Sequence, residues 1–166
     1  ATIDPYYTKA FEQVKRQIDA KVAESKVKAG KRIREVPSVS EKKLFDAIMA
    51  RYKGKVVMVD LWATWCGPCR GAIASFEPRK NKFKDKDVVF VYITNESSPE
   101  SKWLEMVAGI EGEHYRLNRK QWDYICDYFG VDGIPSYVIV DRDGNARLRN
   151  DLRGSGMLEQ ELSGML

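Results

Sequence analysis

The sequence predicts an α/β fold: a central mixed β-sheet flanked by helices on both faces. Two apolar, β-branched runs, Val56–Leu61 and residues 88–93, are each followed by a helix-like pattern, as strands joined by crossover helices are. Near the C-terminus the turn Asp141-Arg142-Asp143-Gly144 separates two short strand-like runs, so the sheet finishes in an antiparallel hairpin. The 166 residues, 43% hydrophobic and 31% charged, have the composition of a globular domain whose core needs no disulfide staples.

Asp4 before Pro5 is a helix opening, cap then first-turn proline, and Tyr7, Phe11, Val14, Ile18 and Val22 recur at spacings of three and four. Residues 5 to about 28 therefore read as an amphipathic helix. Its other faces mix Lys9, Lys15, Arg16, Lys21, Lys26 and Lys28 with Glu12, Asp19 and Glu24. A solvated face is the expected reading; a basic partner-binding surface is the alternative. Residues 30–37 read as a linker containing Lys31, Arg32 and Arg34. Ser40 is placed to cap a second helix with apolar positions Leu44, Phe45, Ile48 and Met49, ending at Lys53-Gly54-Lys55. The strand from Val56 to Leu61 comes next, and from Cys69 a helical spacing runs through Ile73, Phe76, Lys80 and Phe83, with Pro78 bending or ending it.

After the strand at residues 88–93, Asn95 to Pro99 reads as a loop, followed by a helix through Trp103, Met106 and Val107. Tyr115 to Leu117 reads as a short strand. Trp122, Ile125, Cys126 and Phe129 mark one face of a further helix, closed by Gly130. The hairpin pairs Tyr137–Val140 with Ala146–Leu148, and a last helix covers about 155 to 166.

Charge and composition exclude several classes. A net charge of +4, from 28 Lys and Arg against 24 Asp and Glu, is too mild to predict nucleic-acid binding. No run of 18 apolar residues occurs, which argues against a membrane-spanning helix. The start at Ala1 reads as a processed or trimmed terminus, as removal of a signal peptide, a lipid anchor or a preceding domain would leave it. Three cysteines are too few for a disulfide framework.

Two of those cysteines frame the most informative segment, Trp62-Ala63-Thr64-Trp65-Cys66-Gly67-Pro68-Cys69-Arg70, directly after a strand bearing Asp60. Thiols three positions apart in a turn that opens a helix can close into a disulfide with little backbone movement and reopen by attack from outside. Half of a metal site is the competing reading, but the remaining candidates, His114 and Cys126, are single residues without ligand spacing. His114, among Glu111, Glu113 and Arg116, reads as a solvent-facing loop residue, and Cys126 as a buried structural thiol.

Trp65-Cys66-Gly67-Pro68-Cys69 after Asp60, together with Gly133-Ile134-Pro135-Ser136 before another strand, resembles the thioredoxin superfamily. Trp62-Ala63-Thr64-Trp65 and the strand and helix between about 99 and 129 are most similar to its TlpA/ResA-like thiol-disulfide oxidoreductases. The resemblance covers residues 40 to 160. It implies a thioredoxin-like fold with an extra N-terminal helix and a strand-helix insertion, divided into an N-terminal helix and linker, 1–36, and a thioredoxin-like domain, 37–166. It also implies that Cys66 and Cys69 are the catalytic pair. Cys66, at the mouth of the helix where unsatisfied N–H groups and the dipole favour a thiolate, is the nucleophile. The dipole contributes up to ~2 kcal/mol, a lowering of about one and a half pH units at most. Cys69, one turn in, resolves the mixed disulfide.

Burial in an apolar strand should raise the Asp60 pKa. The resemblance assigns this acid the proton-acceptor role for Cys69; a carboxylate that ties down the following turn is the alternative. Pro135 is expected to be cis, with the Ile134 backbone pairing with an extended substrate segment. Trp65, Gly67 and Pro68 complete the expected substrate surface, while Trp62 belongs to the core. Two departures bear on tuning: Ala72 stands where many TlpA/ResA relatives carry Glu, and Ala74 where thioredoxins carry a kinking proline.

The implied activity is a protein-disulfide reductase or interchange protein working outside the cytoplasm. No cofactor is expected beyond the Cys66–Cys69 disulfide. Its partners would be protein dithiols or disulfides and a membrane or soluble thiol donor. A metal-binding protein or a redox-inactive thioredoxin-like interaction module is the alternative.

Overall fold

In the computed structural model, which describes residues 4–154 and 156–166, β1 (Val56–Leu61) lies at the centre of a five-stranded sheet. It runs parallel to β2 (Val88–Asn95) and antiparallel to β4 (Ser136–Val140). Beyond β2, β3 (Glu113–Leu117) adds a parallel edge, and beyond β4, β5 (Ala146–Leu148) adds an antiparallel one, giving the order β3-β2-β1-β4-β5. All six residues of β1 are buried, because both of its faces are covered.

Strand alternation divides the interior into two cores. Val57, Val59 and Leu61, with Val91, Ile93, Tyr115, Leu117, Val138 and Val140, pack against Leu44 and Ile48 of α2 (Glu41–Met49) and Ile125 of α5 (Arg119–Phe129). Val56, Met58 and Trp62, with Phe90, Tyr92, Tyr137 and Ile139, face α3 (Gly67–Phe76), α4 (Glu100–Val107) and α6 (Leu158–Gly164). This is the mixed sheet flanked on both faces that the alternation of patterns predicts.

Several local expectations are refined. Pro78 ends α3: the chain continues from Phe76 into a 3-10 helix over Glu77–Phe83, and Lys80 and Phe83 are its buried residues. Ser40 is the residue before α2, but its side chain makes no capping bond; its carbonyl accepts the Lys43 N–H at 2.9 Å. Gly130 closes α5 in the left-handed conformation, φ 71°, and Asn118 with Gln121 forms a capping box at the other end. The last helix is shorter than expected and begins at Leu158; Ser155 lies outside the described residues. Gly112, at φ 144°, precedes β3 where a Cβ would lie 2.7 Å from the Phe90 carbonyl oxygen, so a side chain there would collide with the sheet.

The N-terminal helix, α1 (Pro5–Gly30), is opened by the Asp4 carboxylate accepting the Tyr6 N–H at 2.8 Å. Its apolar stripe of Tyr7, Phe11, Val14, Ile18 and Val22 is exposed, where an amphipathic reading expects burial. Only its last turn reaches the core, through Ala29. Lys21, Val22, Ser25 and Lys26 of its C-terminal half line a groove against α4, and the turns before them are exposed. The segment after it is tied to the sheet, with Ile33 bridging His114 and the Arg32 guanidinium donating to the Val107 and Ala108 carbonyls at the end of α4.

Candidate active site

The buried β1 delivers the redox turn to the carboxyl end of the sheet, where open α/β sheets place their sites. Cys66 occupies the N-cap position of α3, and the Cys69 N–H donates to Cys66 Sγ at 3.2 Å. The two are joined in a disulfide with Cα atoms 5.3 Å apart. Cys66 retains 5% exposure and Cys69 none, so the pair is asymmetric, with one sulfur at the surface and the other beneath it. Gly67 and Pro68 are exposed on the first turn.

The turn is braced from β2. The Thr64 N–H donates to Ser98 Oγ at 3.0 Å, and that hydroxyl shares a 2.7 Å bond with Thr94 Oγ1. Trp62 is fully buried, whereas Trp65 is 64% exposed and its indole N–H donates to Ser97 Oγ at 2.9 Å. The polar stretch after the second strand is thus a structural support for the site, a role that loop composition alone does not reveal.

Opposite the dithiol, the Ile134–Pro135 peptide bond is cis, and the Ile134 carbonyl oxygen lies 3.8 Å from Cys66 Sγ. Ser136 steadies this loop: its hydroxyl donates to the Gly133 carbonyl and takes bonds from Asn150 and Arg153. Between Trp65 and Ile134 lies a groove of about 250 Å³ whose walls include Ser97, Trp122 and Cys126. Cys126 is therefore a half-buried groove residue rather than a core thiol, since Ile125 is the α5 residue that points into the sheet. Burial, and then Asp123 and Asp127, push its thiol up to about 11, which makes it a poor nucleophile at neutral pH.

Beneath α3, Asp60 continues the sheet face of Met58 and Trp62 and is 2% exposed. Its cross-strand neighbours are Tyr92 on β2 and Tyr137 on β4. Burial raises its carboxyl to about 7, with Lys80 acting in the opposite direction. Oδ1 has no hydrogen-bond partner among the described residues. One strand further on, His114 is fully buried, contrary to the solvent-facing loop expected for it. Its ring stacks on Tyr92 at 4.9 Å and its Nε2 shares a 2.9 Å bond with the Ile110 carbonyl, and burial lowers its pKa to about 4. Among the described residues, no group of three or more His, Cys, Asp and Glu side chains could hold a metal ion.

The pattern of the thioredoxin-like family matches residues 54–146, from just before β1 into β5. The chain belongs to that family. Thioredoxin-like protein YneN of Bacillus subtilis is 39% identical over 92 residues, 55% of this chain and 54% of that protein. Thiol-disulfide oxidoreductase ResA of Bacillus anthracis is 24% identical over 92 residues, 55% and 52% respectively. Among solved structures, the thioredoxin domain of a thiol-disulfide oxidoreductase from Bacteroides vulgatus superposes with TM-score 0.61 at 22% identity, over 71% of this chain and 84% of that one. A solution structure from the same organism, proposed to be a thiol-disulfide oxidoreductase, is 30% identical over 70% of this chain and 78% of its own, with TM-score 0.54. The chain spans about half the length of YneN and ResA. Its relatives include thiol-disulfide oxidoreductases, and its Cys66–Cys69 disulfide is consistent with a CXXC active site.

Proposed function

We propose that this protein reduces protein disulfides by dithiol–disulfide exchange outside the cytoplasm. The observation that carries the reading is the asymmetry of the pair: a slightly exposed cysteine at a helix N-terminus, a fully buried one a turn further in, and a buried carboxyl on the strand that leads into the turn. In the reduced protein the Cys66 thiolate attacks one sulfur of a substrate disulfide. The substrate S–S bond breaks, its other sulfur leaves as a thiolate that takes up a proton, and a mixed disulfide joins Cys66 to substrate. Asp60 accepts the Cys69 proton, the Cys69 thiolate attacks Cys66 Sγ, and the second substrate thiolate departs as the Cys66–Cys69 bond forms. Two electrons pass to the substrate, and a thiol donor, membrane-bound or soluble, must return them.

An extended substrate segment would lie along Ile134 and Pro135, beside Trp65 and over Gly67 and Pro68. The reducing direction is supported by the contacts of Cys66 Sγ, one N–H and a carbonyl oxygen, a weaker thiolate environment than a strong oxidant builds. Equilibration with a glutathione buffer tests it: a potential between about −200 and −300 mV is expected, and one near about −120 mV would overturn "reductase". For the site itself, Cys66→Ser should lower reduction of an insulin-type disulfide at least ~1,000-fold, because the nucleophile is lost; persistent turnover would remove Cys66 from the mechanism.

A further inference from the structure

We propose that α1 pairs with α1 of a second copy of this chain, antiparallel, so that the aromatic half of each helix fills the groove beside the aliphatic half of the other. The stripe of Tyr7, Phe11, Val14, Ile18 and Val22 leaves each of these side chains between 47% and 70% exposed. A helix in a protein is held chiefly by burying such a face. The stripe also changes in size along its length. Its first half is broad: the Tyr6 and Tyr7 rings meet edge on, with centroids 5.8 Å apart, and Phe11 follows one turn later. Its second half carries only aliphatic side chains. There α1 and Leu104 of α4 flank a groove of about 660 Å³, with Lys21 and Lys26 on one side and Glu100 and Glu105 on the other. At about 100° per residue, Lys21 and Lys26 straddle the line of the stripe, so the groove opens on the same side of α1 as Phe11.

A broad end and a cleft on one helix make a self-complementary surface, the kind that a two-fold pair uses. With the axis beside Val14, Tyr7 of one copy meets Val22 of the other and Phe11 meets Ile18, each aromatic ring against a β-branched side chain. The charges agree with that register. Asp4 of one copy comes to Lys26 of the other, and the helix dipoles run opposed. Glu12 of each copy stands beside Lys15 of the other, which offsets the approach of the two lysines at the axis. A parallel pair would instead set Tyr7 on Tyr7 and gather Lys21, Lys26 and Lys28 of both copies at one end, where like charges repel. The area is sufficient. A buried aromatic ring contributes about 150–250 Å², so the five side chains offer on the order of 500 Å² per copy and on the order of 1,000 Å² in the pair, which reaches the size of a specific interface before Leu104 and the flanking side chains are added. The two domains hang at opposite ends of the pair, with Ala29 of each copy about 44 Å apart along the axis, so both dithiols stay open to substrate.

Analytical ultracentrifugation of the full chain, diluted from about 200 to about 2 µM, tests the pairing. A mass twice the 19.0 kDa of one chain is expected at the upper end. Phe11→Glu places a charge on a side chain that is exposed in the single copy, so it should hold the mass at 19.0 kDa while disulfide reduction is unchanged. Pulsed electron paramagnetic resonance reads the orientation, with a spin label on Lys28→Cys in the oxidised Cys126→Ser chain, where the Cys66–Cys69 pair takes no label. The antiparallel pair sets the two labels about 40 Å apart. A mass of 19.0 kDa at every concentration overturns the proposal and leaves the face to a partner of another kind. A Phe11→Glu chain that still doubles its mass, or a label distance under about 20 Å, overturns it as well. Should Phe11→Glu lose helix by circular dichroism, the dilution series and the label distance decide. Mass and distance are read without turnover, so the pairing fails or stands separately from the reductase reading, which Cys66→Ser tests.

Discussion

The two faces of the sheet are built from alternate residues of the same strands, yet they differ in kind. Against α2 and α5 the interior is almost wholly apolar, and a buried side-chain hydrogen bond there, Tyr52 to Tyr115 at 2.7 Å, lies toward the edge strand. Against α3 the packing is interrupted by Asp60, Lys80 and His114, all buried. The difference teaches where this fold places chemistry: one face stabilises the sheet, and the other accepts costly buried polar groups close to the dithiol. A stability cost on that face is the expected signature of function.

Replacing Asp60 should break the contrast most sharply. Asp60→Asn removes the proton acceptor, so the resolving step should slow roughly 100-fold or more in stopped-flow exchange at pH 7 to 8. The same variant should gain stability at high pH. The folded-state carboxyl is raised to about 7, above the ordinary value of about 4, so its favourable contribution is complete below pH ~4 and is lost as pH rises through 7. Urea unfolding should therefore show a gain of up to about 4 kcal/mol at pH 8 and little at pH 4. A loss of stability at pH 8 would mean the carboxylate serves as a structural anchor.

Ile125→Ala, on the apolar face, is the counterpart. It should cost about 3 kcal/mol through the cavity left beneath α5, measured by the same unfolding, while the Asp60 titration midpoint stays in place. A shifted midpoint would show that the two faces are coupled. The smallest effect belongs to His114→Phe, which keeps the ring stack on Tyr92. His114 is lowered to about 4 in the folded state, so its contribution is present above pH ~6.5 and lost as pH falls through 4. The phenylalanine variant should flatten that acid-side decline by about 2 kcal/mol between pH 6.5 and 4, and an unchanged decline would assign it to other groups.

Much of this was legible in the residues. The Val56–Leu61 run, the adjacent Cys66-Gly67-Pro68-Cys69 turn and the Gly130 cap are local signals, and the structure places them where local rules do. His114 was not legible, because its charged neighbours describe the outward side of an edge strand. Its ring is stacked on Tyr92 of the neighbouring strand, and its backbone edge is covered by a bridge from Ile33, some eighty residues away in the chain. Cys126 failed for a narrower reason: the face named by Trp122, Ile125, Cys126 and Phe129 does meet the core, through Ile125 with Trp122 and Phe129 beside it, but Cys126 stands at its edge and lines the groove. Lys80 gave a signal that its charge concealed. It falls on the stripe of Ile73, Phe76 and Phe83, so periodicity put it inward, and only its partners explain how a cation can stay there.

The long first helix adds a matter of leverage. Twenty-six residues at about 1.5 Å each make a rod of about 39 Å of which Ala29 alone is buried in the domain. Its root, Arg32 to Arg34, is fastened to α4 and to the edge strand that carries His114. A tilt of 10° at that root would carry the far end about 7 Å, so the bearing of the helix relative to the groove is governed by its packing on α4 and by a few hydrogen bonds at one corner of the sheet.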